Sequence, residues 1–213
     1  MYMVGFTIAS TSLLSAAGYS DRATARKTHY LRAKALYDAD YEMDRLTTAA
    51  ALLLLGFWWA NPDDQKDTNY WISCAVNVAQ SLGIHRSNLS TAMSQRARSR
   101  RKRLWWAIYM RDRHVAAAFG RPFLIRDEDC DIECLTPEDF CFDEPSDNSL
   151  LPKQSDYHVS YAIEMSKLTM IPGREQVSAM HARPKRIGEI MASENLAFAI
   201  FHEPGEEVDR ARV

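Results

Sequence analysis

The stretch Arg103-Leu104-Trp105-Trp106, running on through Arg111-Asp112-Arg113 to Gly120-Arg121-Pro122, decides how this chain folds. Leu104, Trp105, Ile108, Tyr109, Asp112, Val115 and Phe119 fall on one helical stripe. No Gly or Pro interrupts the chain from Gln95 to Phe119. Gly120 supplies a left-handed stop, and Pro122 makes it sharp. A helix over 95–119 is predicted. Its tryptophans require burial, so other helices must wall them in.

Upstream, the same period dominates. Ala25, His29, Tyr30, Ala33, Leu36 and Tyr37 predict a helix from Arg22 to about Tyr41. Asp44 is placed to cap a second, reaching to about Trp59 and apolar nearly all round, so it should cross the middle of the core. Gly56 within it marks a close helix crossing. In Asn61-Pro62-Asp63-Asp64, Pro62 ends one helix and fits the first turn of the next, with Asn61 as its cap. That next helix should run to Leu82 with Trp71, Ala75, Val78 and Ala79 inward. Gly83 then takes the left-handed position and Ile84 folds back over the last turn.

Downstream of Pro122, Ile125, Ile132 and Leu135 are isolated anchors in an ordered acidic loop, and Thr136-Pro137-Glu138-Asp139 starts a short helix near Phe140. Residues 87–94 and 145–153 read as loop and linker. Tyr157, Tyr161, Glu164, Met165 and Leu168 form a further helical stripe. No alternating strand pattern and no internal repeat is visible. The fold class is all-α: a multi-helix stacked domain over 1–171, then a divergent, poorly ordered tail over 172–213.

The chain has 213 residues, 46% apolar and 25% charged, with a formal net charge of −2. That charge gives the protein as a whole no strong attraction to nucleic acid or anionic lipid, yet charge is segregated along the sequence. Six of the eight residues from Arg96 to Arg103 are basic, while Asp127–Asp147 carries ten carboxylates and no Lys or Arg. The economical reading leaves Arg96, Arg98, Arg100 and Lys102 solvated and sends Arg101 and Arg103 to the acidic segment. Contact with DNA phosphates is the lesser alternative. Met1–Ala17 lacks the basic flank of a signal peptide, and Ala49–Ala60 is too short to span a membrane. An intracellular, reduced protein is expected.

The candidate chemistry does not assemble. Cys130, Cys134 and Cys141 lie close in sequence but lack a Cys-x2-Cys pair, and their acidic surroundings raise thiol pKa values. Buried, reduced cysteines are expected, and no cofactor or metal. No nucleophile elbow, phosphate loop or His-Glu-x-x-His occurs. Asp127, Asp129 and Asp131 lack the Gly and Glu of a calcium loop. An enzyme is not expected. The notable cluster is Arg111-Asp112-Arg113, mid-helix among apolar neighbours. A buried Asp112 needs an arginine or a backbone donor. Arg111, Arg121 and Arg126 are its candidate partners, giving an internal brace that fixes Gly120-Arg121-Pro122 against the helix. A ligand-sensing pocket at this cluster is the alternative, and an unrelated small helical enzyme with a deep pocket lined by Asp112 and His114 is the lesser one.

The order of several segments resembles the fungal-specific transcription factor domain, the middle homology region of fungal zinc-cluster regulators. The segments are Leu52-Leu53-Leu54-Leu55-Gly56-Phe57-Trp58-Trp59, Tyr70-Trp71-Ile72, Ala79-Gln80-Ser81-Leu82-Gly83-Ile84-His85-Arg86 and the Arg103–Pro122 stretch that includes Trp105 and Trp106. Leu135-Thr136-Pro137-Glu138-Asp139-Phe140 looks like the branch of cutinase-gene and xylanolytic activators. The likeness is good over about 28–140. It implies a non-catalytic regulatory domain of RNA polymerase II transcription in the nucleus, acting through intramolecular or protein contacts or a small effector. DNA reading in such proteins belongs to a separate six-cysteine cluster holding two zinc ions, which this sequence lacks, so direct DNA binding is not expected of it. A truncated domain is the expectation. The alternative is a fragment or paralogue that pairs with an intact relative and blunts it.

Overall fold

A computed structural model of the chain describes residues 1–59, 65–87, 93–142 and 155–170. Its helices are α1 (Tyr2–Ile8), α2 (Thr11–Ala16), α3 (Arg22–Asp38), α4 (Arg45–Leu55), α5 (Thr68–Ser81), α6 (Gln95–Phe119) and α7 (Asp156–Thr169). Short 3-10 turns cover Asp127–Asp129 and Pro137–Phe140. Among the described residues there is no strand, and the fold is all-α. No helix there is long and apolar enough to cross a membrane.

The central helix α6 has the predicted bounds. Ser94 Oγ accepts the Ala97 N–H (3.3 Å) at its start, and Gly120 closes it at φ +62°. On one side α6 meets α5, which packs on α4; on the other it meets α7 and the turn Pro137–Phe140. Trp71, Trp105, Leu52, Ile72 and Ile108 are fully buried between these elements. Tyr30 of α3 stacks on Trp58 at 4.4 Å, and its hydroxyl accepts the indole N–H of Trp71 (3.3 Å). The predicted shared interior is therefore present, with Trp106 also buried and its N–H donating to the Glu133 carbonyl (2.9 Å).

The α4–α5 corner is built on Gly56. A Cβ there would stand 2.5 Å from Ile72 Cδ1, so the close crossing expected of this glycine is real. Gly56 caps α4 rather than lying inside it, and the helix stops at Leu55 instead of Trp59. The start of α5 also differs from expectation. Residues 60–64 lie outside the described ones, and the helix begins at Thr68, capped by Asp67, which accepts the Tyr70 N–H (2.8 Å). Thr68 fixes the corner by donating to the buried Trp58 carbonyl (3.1 Å). The end of α5 matches. Gly83 N–H reaches the Gln80 carbonyl (2.9 Å) and Ile84 N–H the Ala79 carbonyl (3.3 Å), a Schellman pair, with Gly83 at φ +66° and Ile84 fully buried.

Two further differences concern faces and ends. α7 buries Ile163 and Ser166, not the stripe of Tyr157 and Leu168, which are 52% and 56% exposed. Ser166 is small enough to sit wholly inside, and its hydroxyl is satisfied by the Ile163 carbonyl (2.7 Å). The N-terminal residues form α1, which packs on α3 through Phe6 stacked on His29 at 5.1 Å. The predicted linker over 145–153 and tail over 172–213 fall on residues outside the described ones, as does most of the loop at 87–94.

Candidate functional site

Three consecutive residues of α6 carry full charges into the interior. Arg111, Asp112 and Arg113 are 8%, 2% and 7% exposed. Successive helix positions point about 100° apart, so the three side chains leave α6 in different directions and between them hold two segments, the end of α4 and the loop after Gly120.

Arg111 reaches back to the end of α4. Its Nη2 donates to the Gly56 carbonyl (3.0 Å), one of the acceptors a helix terminus leaves unpaired, and its guanidinium lies 4.2 Å over the Phe57 ring. A cation is favoured at that end of a helix dipole. Asp112 faces the loop after Gly120. Its carboxylate accepts the Leu124 N–H (3.1 Å to each oxygen) and the Ile125 N–H (3.0 Å). Burial pushes its pKa up, and those two amides together with Arg113 pull against the rise.

Arg113 completes the set. Its guanidinium sits between the Phe123 ring (3.9 Å) and the Tyr109 ring (4.6 Å), donates to the Tyr109 hydroxyl (2.9 Å) and pairs with Asp127. Tyr109 in turn donates to Asp127 (2.6 Å). Burial, followed by that carboxylate, pushes the Tyr109 hydroxyl up to about 12. The loop 121–127 is thereby pinned at Leu124, Ile125 and Asp127, with Ile125 buried as its apolar anchor.

Main-chain amides stand against the Asp112 carboxylate where arginines were expected. Neither Arg121 nor Arg126 is a partner of Asp112: Arg121 pairs with Asp67 at the start of α5 (3.0 Å), and Arg126 lies in solvent beside Glu128 (3.6 Å). The main chain does the neutralising. Pro122 is exposed and Gly120 turns the chain so that Leu124 and Ile125 come back over Asp112. A ligand pocket at Asp112 and His114 is not what the structure holds, because the carboxylate is filled by amides. His114 has its pKa lowered by burial first and by Arg111 second, so it stays neutral there.

The basic run at the start of α6 divides unexpectedly. Lys102, predicted to be solvated, pairs with Asp139 (2.8 Å) on the turn Pro137–Phe140. Arg103 lies over the Phe140 ring at 5.3 Å. Lys102 points toward that turn while its sequence neighbours Arg100 and Arg101 do not, a choice fixed by helix phase relative to Pro137–Phe140. Cys130 donates to the Arg126 carbonyl (3.4 Å), and its thiol is pushed up to about 11 by burial, with Asp127 and Asp129 adding to it. All four cysteines are free thiols, and no metal-ligand cluster occurs among the described residues.

Elsewhere, α3 and α5 flank an open groove of about 530 Å³ lined by Tyr37, Asp67, Tyr70, Ser73, Cys74 and Asn77. Tyr37, Tyr70 and Cys74 of its lining also pack against the core.

Comparison with known proteins gives this architecture a family. The profile of the fungal specific transcription factor domain matches residues 1–199. The chain belongs to that family. Cutinase transcription factor 1 alpha of Fusarium vanettenii is 45% identical over 150 residues, 70% of this chain and 16% of that protein. Its beta counterpart from the same fungus is 43% identical over 136 residues, 63% of this chain and 15% of that protein. The acetamidase regulatory protein of Aspergillus fumigatus is 36% identical over 122 residues, 56% of this chain and 16% of the relative. This fungal regulatory domain thus spans about a sixth of the length of the curated relatives it matches. No solved structure matches it. The family consists of transcriptional regulators and not enzymes, in keeping with a central cluster whose charges all end on protein groups.

Proposed function

We propose that this chain is the regulatory domain of a nuclear fungal transcription factor, altering RNA polymerase II transcription through contacts with protein elements of its own or a partner chain. The observation that carries the reading is the buried Arg111-Asp112-Arg113 cluster. It ties α4, α6 and the loop 121–127 into one piece through buried charges that end on protein groups. A domain built this way transmits or restrains by presenting fixed surfaces, with no bond made or broken. The open groove between α3 and α5 is the surface this reading assigns to a protein element. The cysteines hold no zinc in this reading, and specific DNA reading falls to a zinc-cluster module.

Tethering the full chain to an unrelated DNA-binding module and measuring reporter RNA in a fungal host tests this. Reporter RNA should change at least several-fold against the module alone, in either direction, and Asp112→Ala should remove the change. Equal RNA from both would sink the proposal. If instead the untethered chain reduces the output of an intact relative and co-purifies with it, the blunting role replaces the direct one.

A further inference from the structure

We infer that the first two turns of α6 form a docking surface for the phosphate backbone of duplex DNA, separate from any sequence-reading module. Arg96, Arg98 and Arg100 are exposed and Arg101 is half-buried. Among the described residues, no carboxylate lies within ion-pair distance of any of the four. Of the acidic segment's described carboxylates, those with an ion pair have it elsewhere. Asp127 is taken by Arg113, Asp131 by Arg86 (3.9 Å) and Asp139 by Lys102 (2.8 Å). Four arginines thus have no described ion pair on a chain of formal net charge −2, Arg100 lying in the field of Asp44, and the positive charge of Arg96 and Arg98 in the first turn opposes the helix dipole. An external polyanion offsets that.

Charge density selects the polyanion. Arg96 to Arg101 spans a rise of about 7.5 Å, over which a duplex presents about four phosphates at one charge per ~1.7 Å of axis. Arg96 and Arg100 lie one turn apart on one side of α6, and Arg98 and Arg101 lie about 150° around the helix from them. The basic end therefore carries charge on two flanks. Phosphates bordering a groove on both sides meet both flanks, whereas one acidic peptide strand meets only one. Arg98 already turns its guanidinium back onto the Met93 carbonyl (Nε 3.2 Å, Nη2 3.1 Å), which holds its flank in place. Arginine's fork suits phosphate oxygens. Such contacts carry no sequence information; they hold the domain on the duplex that a reading module has chosen. The inference rests on the regulatory reading only in taking DNA as the polyanion this chain meets.

The test uses the full chain and a labelled random-sequence 30-base-pair duplex, read by anisotropy. Binding should be measurable at micromolar chain in low salt. It should fall on the order of 100-fold from roughly 50 to 200 mM salt, the slope expected of four phosphate contacts. Replacing Arg96, Arg98, Arg100 and Arg101 by Gln should weaken binding at least about 10-fold at low salt with the melting temperature kept. A control with Lys27, Arg32, Arg126 and Lys167 replaced by Gln removes equal charge outside α6. Equal weakening by both variants, or no binding at low salt, overturns the inference. So does tighter binding of a polyglutamate peptide than of the duplex, which would assign the surface to an acidic protein. The reporter experiment is independent: a silent reporter leaves duplex binding standing, and absent binding leaves an active reporter standing.

Discussion

From Arg96 to Arg101 the charges of α6, three exposed and Arg101 half-buried, have no carboxylate in ion-pair range among the described residues, while from Arg111 to Arg113 each charge ends on another segment of the protein. One helix thus carries arginines in two settings. The difference lies in what arrives opposite them. The loop after Gly120 doubles back over the second half and brings amides, rings and Asp127; the acidic turn Pro137–Phe140 reaches only Lys102 and Arg103 of the first. Buried charge in the second half fixes structure, and free charge in the first is left for something outside.

Trp105 sits between the two halves and gives the largest expected effect. It is fully buried beside His85 at 5.6 Å, so Trp105→Ala should cost about 3–5 kcal/mol. Denaturant melts check this, and a loss below about 1 kcal/mol would mean that the interior joining the halves has been misplaced. The acidic segment offers a chemical contrast next. With its thiol held near pKa 11, Cys130 should alkylate at pH 8 about 100-fold more slowly than an ordinary exposed thiol. Its pKa is raised, so the native form prefers the protonated thiol; stability from this group is whole below the ordinary value of 9.0 and is lost as pH rises through 11. Mass-resolved labelling of Cys130 against exposed Cys134 reads the rate. Equal rates would remove the burial and the carboxylate field together.

Asp112→Asn probes the second half directly. An asparagine oxygen retains one acceptor site, while its amide group faces the Leu124 and Ile125 N–H groups and leaves donor against donor. The expected loss is roughly 1–3 kcal/mol, with Arg121→Gln, at an exposed pair, costing under about 1 kcal/mol. If the two variants melt alike, the main chain does not hold Asp112 and the arginine pairing expected from sequence regains its place.

That contrast also shows what was legible in the sequence. Both ends of α6, the Gly83 stop and the Gly56 crossing were readable because they depend on side-chain period and on backbone freedom, which the residue letters encode. The buried status of Asp112 was readable from its apolar neighbours. Its partners were not, because a backbone N–H has no letter and any loop residue supplies one. The start of α5 was misread for a related reason. Pro62 and Asp67 both satisfy local rules for a helix start, and the choice of Asp67 goes with the Thr68 bond to Trp58, a contact across the corner. On α7 the buried positions are Ile163 and the small Ser166, and not the larger residues of the stripe that its period suggests.

The smallest expected effect carries the opposite sign and is the sharpest way to separate the halves. Arg96 and Arg98 occupy the first turn of α6, where partial positive charge from unpaired amides already gathers. Neutralising a cation there removes a repulsion that no described carboxylate offsets. Arg96→Gln should therefore raise stability by about 0.3 kcal/mol at low salt, and the gain should vanish in high salt as the field is screened. Arg111→Gln must behave otherwise, because that guanidinium serves the Gly56 carbonyl at a helix C-terminus and stacks on Phe57, and both contacts are buried from salt. Paired melts at two ionic strengths give the comparison. If Arg96→Gln destabilises like Arg111→Gln, the arginines of the first half have a partner within the fold, and they are no longer free to meet an anion from outside.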